Sequence, residues 1–226
     1  MMASEQLLRQ SQVFAGLKED EWDDLFQQAS IREYQRGEYL AHAGDLWPFL
    51  FFLASGSIAA VKESSEGRAL IATSLKQGDV FWGKAFFHPD LPMPVALKVD
   101  SPSRVYLWRR EQLLPMLHRN GIVSWELSRL MVLHMLRASE IVEELAFQPV
   151  AGRLARLLLE QFADSSDDRL TRDLTLDEMA ARIGSTREMV CRFLHRYADQ
   201  GMITISRTEV SILDRPALSE LAKQVK

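Results

Sequence analysis

Between Arg182 and Tyr197 four arginines, Arg182, Arg187, Arg192 and Arg196, stand against one acid, Glu188, a local charge of four minus one, or +3. Guanidinium groups clustered in so short a stretch suit backbone phosphates, so this is a candidate phosphate-facing stripe; a solvated helix face is the other reading of the same charges. The residues around it form a pattern. Thr175 with Glu178 is spaced as a capping box, followed by Met179, Ala180 and Ile183 as a buried stripe and by Gly184 as a stop. Ser185 or Thr186 then caps a second helix, in which Met189, Val190, Phe193 and Leu194 point inward and Arg187, Glu188, Arg192 and Arg196 face out. Two short helices across a glycine turn, with small Ala180 at the crossing and an arginine-rich outer face, describe a helix-turn-helix. Met202 to Ile205 and Glu209 to Leu213 alternate around Ser206-Arg207-Thr208, as a two-stranded wing does.

Other chemistry finds little to build on. A metal-dependent dioxygenase or isomerase on a β scaffold would need clustered ligands, and the five histidines, at 42, 88, 118, 134 and 195, never fall in a close pair. There is no GxSxG elbow, Walker loop or CxxC pair, so an enzyme reading has little support and no metal site is expected.

The elements that must position the stripe are legible from periodicity. Before it, Val13, Phe14, Leu17, Trp22, Leu25 and Phe26 repeat at helical spacing. From Ile31 to Arg109 short β-branched and aromatic runs are separated by Gly44, Gly56, Gly67 and Gly78, at intervals of twelve, eleven and eleven residues. That rhythm predicts an antiparallel sandwich or barrel, with strands at 39–42, 49–54, 57–62, 69–75, 80–82, 95–99 and 104–108. Gly44-Asp45 and Gly78-Asp79 suit tight turns, because an Asp side chain can accept from a nearby backbone amide. From Asn120 to Leu145 the period becomes helical. Leu127, Met131, His134, Ala138, Ile141 and Leu145 follow steps of four, three, four, three and four, the spacing of a coiled-coil seam. The expectation is a dimer helix; an amphipathic helix on its own sheet fits the same spacing. Pro149 then starts a helix over 150–162 at a new angle, which marks a hinge at 147–149, and 163–172 reads as a polar loop.

Length and charge set the outer bounds. With 226 residues, 47% hydrophobic and 26% charged, the chain is globular, large enough for one large domain or two small ones. Net charge is −4, which argues against coating nucleic acid through bulk charge. The excess acid lies before Phe147, with fifteen basic against nineteen acidic residues, while the remainder balances at twelve each. No run of eighteen apolar residues appears, so no membrane span is expected. Met1 to Gln10 carries charges and amides where a signal peptide would be apolar, and the single Cys191 cannot form an internal disulfide, so a reducing cytoplasm is the expected compartment.

The glycine-aspartate turns, the passage LAFQPVAGRLARLLL across the hinge and the stretch IGSTREMVCRFLHRYADQGMI together resemble the Crp/Fnr family of bacterial transcription regulators, named for the catabolite activator and the fumarate-nitrate regulator, over nearly the whole chain. The resemblance implies an α+β chain: a cyclic-nucleotide-binding-like β jelly roll as sensor (1–119), a long dimerisation helix (120–146) and a C-terminal winged helix-turn-helix (147–226). Arg187, Glu188 and Arg192 match the arginine-glutamate-x-x-x-arginine pattern of the catabolite-activator branch. Arginine donates two bonds to guanine O6 and N7, and glutamate accepts from cytosine N4, so these residues would read a G·C-containing half-site, and the resemblance implies a palindromic, TGTGA-like site in double-stranded DNA. Ser185, Thr186, Arg196 and the wing residue Arg207 are the candidate phosphate contacts. Glu188 and Arg192, four apart, are also spaced for a salt bridge.

The sensor departs from the cyclic-nucleotide pattern. Gly83 is kept, but Lys84 stands where those relatives carry the ribose-binding glutamate, and Pro94 and Val95 stand where they carry arginine and serine for the phosphate. On the dimer helix their adenine-contacting threonine-serine pair corresponds to Ala138-Ser139. Cyclic AMP loses its counter-charge at Pro94, so another effector is expected at this pocket. An iron-sulfur sensor needs four cysteines and is excluded. Haem, used by some relatives to sense carbon monoxide or nitric oxide, would have His42, His88, Met93 and His134 as candidate ligands; each histidine alone more often is an ordinary surface or core residue. An organic effector among Phe81, Trp82, Phe86 and Phe87 fits equally. The resemblance therefore predicts a homodimeric, sequence-specific regulator gated by an effector other than cyclic AMP; a haem-dependent gas sensor and an effector-independent DNA-binding dimer are the alternatives. Activation would add RNA polymerase as a partner, although no polymerase-contacting surface is legible in the sequence.

Overall fold

The structure is a computed structural model that describes residues 3–161, 169–171, 174–206 and 209–223. It divides into two compact units, one running through Lys62 with Ala72–Arg137, the other comprising Glu63–Ile71 with the chain from Ala138 onward. The units part inside the long helix, between Arg137 and Ala138.

The first unit opens with α1 (Ala3–Arg9), a 3-10 turn and α2 (Glu19–Gln28), followed by β1 (Ser30–Tyr34), β2 (Tyr39–Ala41), β3 (Phe49–Glu63), β4 (Ala69–Lys76) and β5 (Val80–Trp82). The short α3 (Lys84–Phe87) leads to β6 (Ala96–Arg109), α4 (Arg110–Arg119) and α5 (Gly121–Phe147). One antiparallel sheet runs β1-β6-β3-β4, with β2 on β6 and β5 on β3. The strands expected at 49–54 and 57–62 are one strand, β3, and those expected at 95–99 and 104–108 are one strand, β6. Pairing carries on through irregular register around Gly56, where a side chain would run into Ser103 and the Pro102 carbonyl. The irregularity also shifts the pleat. Phe51 and Leu53 enter the inner core, and beyond Gly56 the even-numbered Ile58 and Ala60 take their place, as a one-residue slip requires.

The sheet has two apolar faces. Phe51, Leu53, Leu97, Val105, Leu107, Met93 and Trp47 fill the inside. Leu50, Phe52, Tyr106 and Trp108 face outward, under Phe14, Trp22, Leu25, Leu113, Val123 and Leu127, and the Trp108 indole donates to the Leu25 carbonyl at 2.7 Å. Both glycine-aspartate turns form as expected: Asp45 accepts from the His42 amide and Asp79 from the Lys76 amide, each at 2.7 Å. Asn120 starts α5, its side-chain oxygen accepting from the amides of Ile122 and Val123 at 3.2 and 3.1 Å.

The orientation of α5 corrects the expected seam. Leu127 is buried in the unit's own core, and His134 packs edge-on against Phe81 and Trp82 of β5 at 5.4 and 5.2 Å between ring centroids. Met131 is half-buried, as are Ile141 and Leu145 in the second unit; of the stripe, only Ala138 is exposed. Leu127 and His134 therefore anchor the helix to its own sheet, the other reading of the same spacing. The exposed apolar residues, Ile122, Trp125, Val132, Leu133, Met135 and Leu136, lie on a different face of the helix.

In the second unit, α6 (Val150–Gln161), β7 (Arg169–Thr171), α7 (Leu176–Arg182), α8 (Arg187–Asp199), β8 (Ile203–Ile205), β9 (Glu209–Ile212) and α9 (Arg215–Ala222) close over a core of Leu154, Leu158, Val190, Leu194, Tyr197, Ile203, Val210 and Leu218. Two elements go beyond expectation. β7, inside the stretch read as a polar loop, pairs with β9, so the wing is three-stranded. α9 is capped by Asp214, which accepts from the Ala217 amide at 2.9 Å. Among the described residues no helix is long and apolar enough to cross a membrane.

Candidate nucleic-acid interface

The recognition element is built by local capping. Thr175 accepts from the Glu178 amide at 3.2 Å, and Glu178 accepts in return from the Thr175 amide at 2.7 Å, closing the expected capping box on α7. Gly184 takes the left-handed φ of +59° in the turn, and the Ser185 amide donates back to Ala180 at 2.9 Å. Of the two candidate caps for α8 it is Thr186 that serves, accepting from the Met189 amide at 3.3 Å. Both Ser185 and Thr186 are half-buried at the helix start, where backbone amides point outward to any anion.

Along α8 the two faces separate cleanly. Val190, Leu194 and Tyr197 are buried, whereas Arg187, Glu188, Arg192, His195 and Arg196 are exposed. Arg187 rests 3.3 Å from Asp177 of α7, an exposed pair of little energetic weight that leaves the guanidinium free to change partners. Arg192 lies against the Met189 sulfur and 6.0 Å from the Phe193 ring. The Glu188–Arg192 salt bridge that their spacing permits is not formed among the described residues, so both groups face solvent. Hydrogen bonds from its own backbone amide and from the Thr186 hydroxyl, with Arg187 beside it, hold the Glu188 carboxyl below its usual range. At neutral pH it is ionised, the form that accepts a hydrogen bond from a base amine. Arg207, the expected wing contact, lies outside the described residues.

Residues 152–221 match the Crp-like helix-turn-helix domain and residues 31–120 match the cyclic nucleotide-binding domain. The chain belongs to the Crp/Fnr family. It is 28% identical over 178 residues to the cAMP-activated global transcriptional regulator CRP of Pasteurella multocida, covering 77% of this chain and 85% of that one. To the CRP-like cAMP-activated global transcriptional regulator of Mycobacterium tuberculosis it is 25% identical over 224 residues, covering 97% and 100%. A solved Crp/Fnr-family structure from Eubacterium rectale superposes with a TM-score of 0.80 at 20% identity, over 94% of this chain and 98% of that one.

In this Crp/Fnr regulator the candidate pocket residues of the first unit fall in two pairs. Gly83 is buried, its amide donating to the Phe49 carbonyl at 2.8 Å, and Trp47 lies so close that a side chain at 83 would collide with it. Lys84, the first residue of α3, is exposed; Pro94 is exposed and Val95 is buried. Both pairs flank the segment 44–47, since Gly44 and Asp45 exchange backbone bonds with Met93 at 2.9 Å. Ala138 and Ser139 are exposed and belong to the second unit. The four candidate haem ligands sit in different surroundings: His42 is exposed and stacked on Tyr39, His88 is exposed, Met93 is buried in the inner core, and His134 is half-buried against Phe81 and Trp82. Among the described residues no three His, Cys, Asp or Glu side chains converge as a metal site would need.

Sequence reasoning missed one buried residue of the second unit that bonds to the end of α7. Arg153 on α6 is only 8% exposed, and its guanidinium is spent on backbone carbonyls. A charged residue in the inward stripe of an amphipathic helix was the available signal.

Proposed function

We propose that this Crp/Fnr regulator works as a homodimer that reads a palindromic, TGTGA-like DNA site, in the cytoplasm, under control of an effector other than cyclic AMP. The observation that carries the DNA reading is the outer face of α8, where Arg187, Glu188 and Arg192 are all exposed and Glu188 is held ionised. Two arginines and one carboxylate on one helix face match the donor and acceptor pattern of G·C pairs in the major groove. Arg196 and the start of α8 at Thr186 and Ser185 supply the phosphate contacts that fix register.

A dimer is supported by the free face of α5. Trp125, Ser128, Val132 and Met135 follow steps of three, four and three, and all four are exposed, Trp125 at 66% and Met135 at 71%. Ser139 and Val142 continue the same steps in the second unit. An apolar seam of this length exposed to water calls for a partner, and a second α5 has the matching repeat. Two copies related by a two-fold axis would present two α8 helices to half-sites about one helical turn apart.

The effector reading rests on charge. Lys84 and Pro94 replace an acid and an arginine, so the pocket lacks both the ribose acceptor and the phosphate counter-charge of a cyclic nucleotide. The relatives from P. multocida and M. tuberculosis are named as cAMP-activated, which makes the effector the sharpest point to test. Binding-site selection from random duplexes, followed by fluorescence anisotropy on the enriched duplex with and without millimolar cyclic AMP, tests both parts. A TGTGA-like palindrome whose affinity does not respond to cyclic AMP is expected. No enriched palindrome overturns the DNA reading, and a ten-fold gain with cyclic AMP overturns the effector reading. A sharp, saturating Soret band on anaerobic haem titration, shifting with carbon monoxide or nitric oxide, would assign haem instead.

A further inference from the structure

A guanidinium taken out of water is costly unless each N–H finds an acceptor. Arg153 meets that requirement for three of its five N–H groups, and in an informative way. Its Nε donates to the Ile183 carbonyl at 2.8 Å, and its Nη1 donates to the carbonyls of Gln148 at 2.7 Å and Glu144 at 3.3 Å. These acceptors come from three places in the chain: the last turn of α5, the link before α6, and the residue that closes α7 just before the Gly184 turn. Burial pulls the guanidinium below its ordinary pKa, while the charge of Glu144 works to restore it. The Glu144 carboxylate is itself occupied by Arg156 at 2.7 Å, so Arg153 is left to the carbonyls. Packing repeats the connection, since the end of the Leu145 side chain lies against Gly184, where a side chain would have to push it aside.

The link at 147–149, read from Pro149 as a hinge, is thus spanned by one buried cation that grips both sides of it. We infer that Arg153 is a positioning residue for DNA recognition: it fixes the helix-turn-helix to the end of α5, so that the last turn of α5, the link and the α7–α8 turn move as one body. An orientation imposed on the end of α5 then reaches α8 through the Ile183 carbonyl instead of being lost at a free joint. The inference rests on the homodimeric DNA-binding reading, because the pose it fixes is the one that sets the separation of two recognition helices.

The test compares the full-length wild type with Arg153→Lys, which keeps the buried charge but not the fork of bonds, and Arg153→Met, which keeps the apolar volume. Affinity is measured for the selected palindrome and for the same duplex with its half-sites one base pair further apart. A variant that is merely less folded loses affinity for both duplexes by the same factor, leaving their ratio unchanged. Mispositioning lowers the ratio itself. The wild type is expected to prefer the selected spacing, and both variants are expected to lose most of that preference, on the order of ten-fold, while still telling the palindrome from a base-substituted duplex. If Arg153→Met fails to fold, Arg153→Lys decides alone. An unchanged spacing preference in a folded variant overturns the positioning role. A wild type indifferent to spacing overturns the dimer reading, and the positioning role with it.

Discussion

The Tyr197 hydroxyl, on the recognition helix, donates to the Ala151 carbonyl of α6 at 2.5 Å across 46 residues of sequence. Tyr197 is 1% exposed, and burial pushes its phenol well above the ordinary value of 10.0, with the Arg196 charge acting the other way. Tyr197→Phe is expected to cost the winged-helix unit about 1–2 kcal/mol in urea unfolding, because the Ala151 carbonyl is left without its donor. The pH dependence has a definite sign. A phenol whose folded pKa is raised is favoured in its protonated form, so the stabilisation is complete below about 10 and is lost as pH rises above that value. Tyr197→Phe should lack this alkaline decline; an equal decline in the variant would assign it to another group.

On DNA, Arg192→Ala should weaken binding to the selected site by about 1–3 kcal/mol and relax base preference at one position of each half-site. Arg196→Ala should act differently, weakening all sequences alike and lowering the salt slope by about one. Repeating the site selection and a salt titration separates the two. Unchanged discrimination with Arg192→Ala would remove it from the base-reading set.

The two faces of α5 predict opposite outcomes for one kind of substitution. Val132→Asp, on the exposed face at 54%, should leave the sensor folded and shift sedimentation toward monomer by at least about ten-fold in dissociation constant. Leu127→Asp, in the core at 2%, should instead unfold the first unit, since it buries a charge without a partner. Retained dimerisation in Val132→Asp would move the interface elsewhere.

Restoring the missing charges offers a gain-of-function check. Lys84→Glu with Pro94→Arg and Val95→Ser should bring measurable cyclic nucleotide binding by calorimetry where the parent shows none. No heat in a folded triple variant would mean that Trp47, packed against Gly83, limits the pocket by shape as well as charge.

His134 gives the sensor an acid sensitivity. Desolvation lowers its pKa below 6.5, and the charge of Asp79 opposes the shift. A histidine held neutral stabilises the fold fully above its unfolded value, and the contribution falls away as pH drops below it. Thermal stability of the sensor should fall between about pH 7 and 5, and His134→Leu should flatten that slope. A slope of equal steepness in the variant would place the titrating group elsewhere.

The sequence by itself determined the elements whose signals are local. Thr175 with Glu178, the Gly184 stop and the inward repeat of Val190 and Leu194 specify α7 and α8 because capping and helical period act within a few residues, and the Asp45 and Asp79 turns form for the same reason. The exposed arginines of α8 follow from that period once the buried side is known.

What depends on distant partners was decided only by the tertiary structure. Alternating steps of three and four fit two stripes of α5 equally, because the helix is apolar on more than one side; only the docking of His134 on Phe81 and Trp82 settles which stripe faces inward. The strands flanking Gly56 merge because β6 continues the hydrogen-bond ladder past the irregularity, and β7 exists because β9 offers a partner to three residues too short to signal a strand alone. Arg153 is the clearest case. Its type and position say only that a charge interrupts an apolar stripe, whereas its role follows from the Ile183 carbonyl, 30 residues away, which the fold alone brings within 2.8 Å.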